Sequence, residues 1–366
     1  MNSAPRSTII PAPEALATLA DFSAIIDVRS PAEFAEDHIP GALNWPVLDD
    51  EERRIVGTLY KDSPFEARKL GAALVARNIA RQLDTHGAGL PRHWRPLVYC
   101  WRGGQRSGAM HWFLGQIGFK SRQLAGGYKA YRAEVRGALE ALPAGLQLQV
   151  LCGRTGSGKT RLLQALRAQG GQVLDLEALA AHRGSVLGAL PGQAQPSQKA
   201  FDSRLWQSLR ALDPSQPIFV ESESRKIGQL RLPEALHQAM RNSPHCCWVE
   251  MPEAARVQLL LEDYGHFSQQ VESFCGLIDG LLALRGRQKI AAWQALARAG
   301  DFATVFTELM REHYDPGYEK SLSGHYPNLA QARRIELADG GQAALAAAAA
   351  ELLNNPASNP GVSPPA

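Results

Sequence analysis

Cysteine is scarce in this chain, and neither sign of charge dominates it. Cys100, Cys152, Cys246, Cys247 and Cys275 are the only five cysteines among 366 residues, and no two have CxxC spacing. A disulfide framework and a cysteine-based structural zinc site are therefore excluded, and no metal ligand set is expected. Reduced thiols suit a cytoplasmic setting. Lys and Arg number 39 against 36 Asp and Glu, a formal +3, which rules out a histone-like basic protein and an acidic tail protein, although a local basic groove stays open. No apolar run approaches the ~18 residues of a membrane span. The opening MNSAPRSTIIPAPEALATLA lacks the basic-then-apolar layout of an export signal. Neither a membrane role nor export is expected, and no internal repeat is visible.

What is present is apolar material for a core: 45% of residues are hydrophobic and 20% charged, the composition of a globular protein. The length suggests two domains. Ala24 to Val28 and Leu97 to Tyr99 read as buried parallel strands, Phe65 to Gln82 as a helix, and the stretch following Cys100 as another. A helix ending near Leu142 meets Pro143 and Gly145, which places a domain boundary there, and Leu146 to Cys152 opens a new strand. Val173 to Leu176, Ile218 to Glu221 and Cys247 to Val249 continue a strand-and-helix alternation, the mark of a mostly parallel sheet. From Pro252 onward the pattern is helical, with Ala343 to Leu353 as the last helix. The expected organisation is α/β throughout, with domains at 1–142 and 143–353 and a proline-rich disordered tail at 354–366.

Two loops carry chemistry. Cys100 follows a strand and heads CWRGGQRS, where paired glycines and a helix start form an anion nest from Arg102, Gly103, Gly104, Gln105 and Arg106. A thiol in that setting is a candidate nucleophile. The other four cysteines read as small buried hydrophobes. Gly153, Arg154, Thr155, Gly156, Ser157, Gly158, Lys159 and Thr160 fit G-x-x-x-x-G-K-[ST] at every fixed position, between a strand and a helix. The backbone N–H groups and Lys159 suit a di- or triphosphate, and Thr160 adds a hydroxyl for phosphate or Mg²⁺. ATP hydrolysis also needs a metal-organising carboxylate on a neighbouring strand. Glu221, Glu223 and Asp175 are the candidates, yet the usual Asp at the strand end is missing, so Mg²⁺ and ATP stay open.

The run AIIDVRSPAEFAEDHIPGALNWP, with Asp27, Arg29, Glu33, Phe34, His38, Ile39, Pro40, Gly41, Ala42 and Asn44, resembles the opening signature of rhodanese domains. VYCWRGGQRS resembles their sulfur-carrying loop, and AGGYKAY their end. The resemblance implies that Cys100 takes up sulfur or selenium. Rhodanese signature and phosphate loop together are similar to one family, tRNA 2-selenouridine synthase, through FEARKLGAALVARNIA, CWRGGQRS, GGYKAYR, GRTGSGKT, DLEALAAHRGSVLG, ESESRKIG and HYDPGY in that order. One departure is Ser222, which stands where an acidic residue is common. The resemblance implies a rhodanese-like domain followed by a P-loop NTPase-like domain with a helical C-terminal part. It also implies a transferase acting on tRNA at wobble 2-thiouridine, which geranylates the sulfur with geranyl diphosphate and then exchanges it for selenium from selenophosphate. Docking of a selenophosphate-producing enzyme stays open.

A tRNA partner needs local positive charge. Arg183, Arg285, Arg287 and Lys289 are the leading candidates, with His182, Arg225, Lys226, Arg333 and Arg334 behind them. Trp248, Tyr264, Phe267, Tyr314, Tyr318 and Tyr326 could stack an extruded base or line a prenyl channel, but core is the expected role for most of them. Two other readings fit the motifs: an ATP-dependent kinase fused to a rhodanese domain, and a regulator that binds nucleotide without catalysis.

Overall fold

The computed structural model describes residues 8–318 and 326–356. The chain forms two compact units. One comprises Met1–Ala138 with Ser197–Gln207, the other Leu139–Pro196 with Ser208–Ala366. Ser197–Gln207 thus lies inside the second region by sequence and clusters with the first by contact.

The first unit is built on strands β1 (Ile9–Ile10), β2 (Ala24–Asp27), β3 (Ala42–Asn44), β4 (Pro96–Tyr99) and β5 (Arg122–Leu124), all parallel, in the order β1-β5-β4-β2-β3. Every residue of β4 is buried, as a central strand covered on both faces requires. Local chemistry sets the helix starts. Pro31 occupies the first turn of helix Pro31–Glu36 behind a Ser30/Glu33 capping box, and Asp49/Glu52 form a second box ahead of Asp50–Asp62. Ser63 and Pro64 then restart the chain as Pro64–His86, which contains the predicted helix. Val98, Met110, Leu114, Ile26, Trp45 and Trp94 form the core beneath the sheet's carboxyl edge. Ligands of open α/β sheets bind at that edge.

The second unit has β6 (Gln147–Cys152), β7 (Gln172–Leu174), β8 (Pro217–Glu221), a short antiparallel pair β9 (Lys226–Ile227) and β10 (Leu230–Arg231), then β11 (Cys246–Glu250) and β12 (Arg333–Glu336). Its main sheet is parallel in the order β12-β11-β6-β8-β7. Strand β12 corrects the reading that everything after Pro252 is helical. It is an edge strand in which only Ile335 is buried, so it shows no apolar run to find. The final helix spans Gln342–Asn354. The tail expected from residue 354 begins on the last residue of that helix, and its residues 357–366 lie outside the described residues.

Candidate active site

In the first unit, Cys100 sits at the end of central β4, buried to 4% exposure. Its Sγ accepts a hydrogen bond from Ser107 Oγ at 3.2 Å. Gln123 Nε2 braces the loop, donating to Ser107 Oγ at 3.0 Å and to the Gly103 carbonyl at 2.6 Å. The first N–H groups of helix Gln105–Ile117, at Gln105, Arg106 and Ser107, have no acceptor within the helix, which leaves donors at the end of the loop that Cys100 opens. Gly103 and Gly127 both have positive φ, and their backbones interlock. A β-carbon at 127 would stand 2.2 Å from the Cys100 carbonyl oxygen and 2.4 Å from the Gly103 nitrogen. Arg106 does not face the thiol as a free cation. Its guanidinium donates to Glu33 at 2.8 Å; desolvation pushes Glu33 up, but this bond, the Arg106 charge, the Ser30 N–H and the Arg53 charge together hold it below its ordinary pKa. Arg102 is exposed.

The signature residues of this unit form its frame. Asp27 and Arg29 are a buried ion pair at 2.6 Å. Arg29 also donates to the Asp37 carbonyl at 2.6 Å and lies over the Tyr128 ring at 3.9 Å, while Asn44 Nδ2 donates to the Asp27 and Arg29 carbonyls. His38 stacks on Phe34, and Tyr99 OH accepts from the Ile39 N–H. All hold the carboxyl ends of β2 and β4 in place, beneath Cys100.

In the second unit, β6 runs into the phosphate loop and helix Lys159–Ala168. Gly153, Gly156 and Gly158 adopt positive φ. Lys159 Nζ donates to the Gly153 and Arg154 carbonyls at 2.6 and 3.2 Å. Arg256, 3% exposed, grips the Thr155 carbonyl at 2.7 Å and is held in turn by Asp315 at 2.6 Å. Tyr318 OH accepts from the Gly153 N–H, meets Ser222 Oγ at 2.5 Å, and its ring lies 5.1 Å from Lys159 Nζ. HYDPGY therefore straps the loop through Asp315 and Tyr318, and Ser222, the departure from the family pattern, serves that strap. A π-helical turn, Met310–Tyr314, leads into it and includes its first two residues, His313 and Tyr314.

The loop forms one wall of a cavity of about 640 Å³. Lys159, Thr160, Glu177, Glu221 and Glu223 line it, as do four of the six aromatics expected in the core: Tyr264, Tyr314, Tyr318 and Tyr326. Phe267 is buried. Thr160 Oγ1 lies 3.1 Å from both Glu177 Oε2 and Glu221 Oε2, and oxygens of Glu177, Glu221 and Glu223 lie within 4.8 Å of one another. This trio, together with Thr160, is the set that could hold a cation. Asp175 instead caps helix Leu176–Ala180 by accepting from the Ala178 N–H at 2.9 Å, and Glu177, two residues on, takes the acidic position. Only an acidic residue early in a short helix could have signalled Glu177 in sequence. Desolvation, joined by repulsion from Glu177, pushes Glu223 up to about 8. Desolvation against the pull of Lys159 brings Glu177 to about 7. Glu221 is raised well above the carboxylate range by desolvation and then by the charges of Glu177 and Glu223. Desolvation lowers Lys159.

The basic candidates fall in different places. Arg183 lines the cavity, donates to the Asp263 carbonyl at 2.5 Å and lies over the Tyr264 ring. Arg225 also lines it and pairs with Glu234. Arg285 contacts His313, a lining residue. Lys289 is held between Glu308 and Glu312 at 2.7 and 2.6 Å. Arg333 and Arg334 pair with Glu351 and Glu250 on the edge strand. Arg287 begins helix Arg287–Arg298 and Lys226 is exposed on β9. His182 accepts from the Gly184 N–H.

Residues 12–134 match the model of the rhodanese-like domain, and residues 146–291 that of the tRNA 2-selenouridine synthase AAA domain. Among curated relatives, the tRNA 2-selenouridine synthase of Nitrosomonas europaea is 40% identical over 245 residues, 66% of this chain and 63% of the relative. That of Alcanivorax borkumensis is 39% identical over 82% of this chain and 89% of the relative. That of Chromohalobacter salexigens is 35% identical over 81% and 88%. No described helix is long and apolar enough to cross a membrane. With both domain models matched in order and full-length relatives at this identity, the chain belongs to the tRNA 2-selenouridine synthase family.

Proposed function

We propose that this chain is a cytoplasmic tRNA-modifying transferase that converts wobble 2-thiouridine to 2-selenouridine in two steps. In the first, the thiocarbonyl sulfur attacks C1 of geranyl diphosphate, the carbon–oxygen bond breaks, and diphosphate leaves. In the second, the selenium of selenophosphate attacks C2 of the base, geranylthiol leaves, and hydrolysis of the phosphorus–selenium bond releases phosphate. Selenophosphate already carries selenium at the selenide level, so no oxidant or reductant is consumed.

The observation that carries this reading is the composition of the cavity: a phosphate loop with a buried lysine on one side, and Tyr264, Tyr314, Tyr318 and Tyr326 with Leu259 and Leu260 around it. Phosphate donors suit the diphosphate and the apolar ring faces suit a prenyl chain. Cys100, with its serine and backbone donors, is assigned to the selenium donor, and Arg183 and Arg225 to tRNA phosphates at the cavity. The test is nucleoside mass spectrometry after incubating the purified chain with thiolated tRNA, geranyl diphosphate and selenophosphate. Both geranylated and selenylated uridine are expected, with Cys100→Ser retaining the first and losing the second. Absence of both products, or ATP turnover without RNA, overturns the assignment in favour of the kinase reading.

A further inference from the structure

A second, smaller cavity of about 350 Å³ adjoins the one at the phosphate loop, and Tyr264 lines both. Leu261, Gly265, Phe302, Ala303 and Phe306 wall the smaller one. Helix Glu253–Asp263 makes the division. Its Leu260 packs on the phosphate loop, where a β-carbon at Gly156 would stand 3.1 Å from Leu260 Cγ. Tyr264 follows four residues later on the same face, its N–H donating to the Leu260 carbonyl at 2.9 Å. Leu261 and Gly265, the corresponding pair one position on, line the smaller cavity. The Tyr264 ring stands between the two. Arg183, from the larger cavity, lies over it at 5.0 Å, and Ser185 Oγ of the same cavity meets its hydroxyl at 3.4 Å. Phe306, from the smaller cavity, lies 6.0 Å from the ring. Phe267 stacks on it at 5.9 Å with planes 8° apart, so the ring is fixed in place. The smaller cavity suits an apolar occupant, because its two polar side chains are already used. Asp301 accepts from the Thr304 N–H and hydroxyl at 3.1 and 2.7 Å, and Ser268 donates to the Gly265 carbonyl at 2.7 Å.

We propose that Tyr264 sets the length of prenyl chain the larger cavity accepts, its ring stopping the chain of geranyl diphosphate short of the smaller cavity. This inference rests on the prenyl-transfer reading above. With the diphosphate on the phosphate loop, the chain leaves past Leu260 and runs along the helix face to Tyr264. A chain one isoprene unit longer meets the ring and must fold back toward water with its apolar surface uncovered, which costs the hydrophobic gain of burying it. Removing the ring joins the two cavities, and the extra unit then lies against Leu261, Phe302 and Phe306.

The test is calorimetric binding of inorganic pyrophosphate, geranyl diphosphate and farnesyl diphosphate, the last one isoprene unit longer, to the full chain. The wild type should bind geranyl over farnesyl diphosphate by about tenfold or more, the discrimination that a misfit of apolar groups gives. Tyr264→Ala should abolish or reverse that preference, and Tyr264→Phe, which keeps the ring, should retain it. Truncating a buried ring also weakens packing, so Tyr264→Leu is measured alongside, and continued binding of pyrophosphate identifies the folded variants. Equal affinity of the wild type for the two prenyl diphosphates, or an undiminished preference in folded Tyr264→Ala or Tyr264→Leu, overturns the proposal and leaves the transferase reading standing. A wild type that binds geranyl diphosphate no more tightly than pyrophosphate removes the prenyl reading itself, and this proposal with it.

Discussion

Lys159, deprived of bulk water, lends its ammonium to two carbonyl oxygens of its own loop at 2.6 and 3.2 Å. An incoming diphosphate competes for those hydrogens, and hydrogen bonds to charged groups are worth about 1.5–3 kcal/mol. Lys159→Ala should therefore weaken pyrophosphate binding by about tenfold or more in calorimetry, with the fold unchanged by circular dichroism. The glutamates beside it make a different prediction. Their folded-state pKa values, about 7 for Glu177 and about 8 for Glu223, lie above the ordinary 4.5. For a raised carboxyl, the stabilising contribution is complete below the ordinary value and is lost as pH climbs through the folded one. In chelator, the melting temperature should fall between pH 5 and pH 8, and Glu223→Gln should flatten that decline.

At the scale of elements, the turn Gly126–Gly127 decides where the cysteine loop lies. The N–H groups of Tyr128 and Lys129 donate to the carbonyls of Cys100 and Trp101 at 2.8 and 2.9 Å. Such an approach tolerates no β-carbon at 127, where φ is +55°. Gly127→Ala should cost about 2 kcal/mol or more through strain and displacement. The loss would appear as a lower denaturation midpoint and slower alkylation kinetics restored by no change at Arg102. The strand ends follow one rule in both units: β4 delivers Cys100, β6 the phosphate loop and β8 Glu221, all at carboxyl edges of parallel sheets. These are the strands that apolar runs announced. Strand β12 escaped because an edge strand with one inward residue has no such run.

At the scale of the whole molecule, the chain is not divided at a single cut. Within the first unit, Arg132 reaches Asp202 at 2.7 Å and Ser203 Oγ at 3.1 Å, Ser203 donates to Asp37, and Trp206 packs edge-on against Tyr131. A fragment ending at residue 142 strips these partners and leaves Arg132 and Asp37, 7% and 2% exposed, incompletely satisfied. It should melt lower than the same fragment co-expressed with a peptide covering Ser197–Gln207. Equal melting temperatures would show that the segment braces nothing.

The order of residues alone determined the two chemical loops, because a phosphate nest and a cysteine nest are local: a strand, glycines able to take positive φ, and a helix N-terminus in one short run. It determined the α/β class as well, since central strands must be apolar along their length. Only tertiary structure decided which carboxylates meet. Glu177, Glu221 and Glu223 come from two separate segments, and Asp175, equally plausible on paper, is spent on a helix cap. The same holds for Arg106, claimed by Glu33 from 73 positions away, and for the tyrosines of the cavity wall. Periodicity says that a ring is buried, while burial against core or against a cavity depends on contacts between residues distant in the chain.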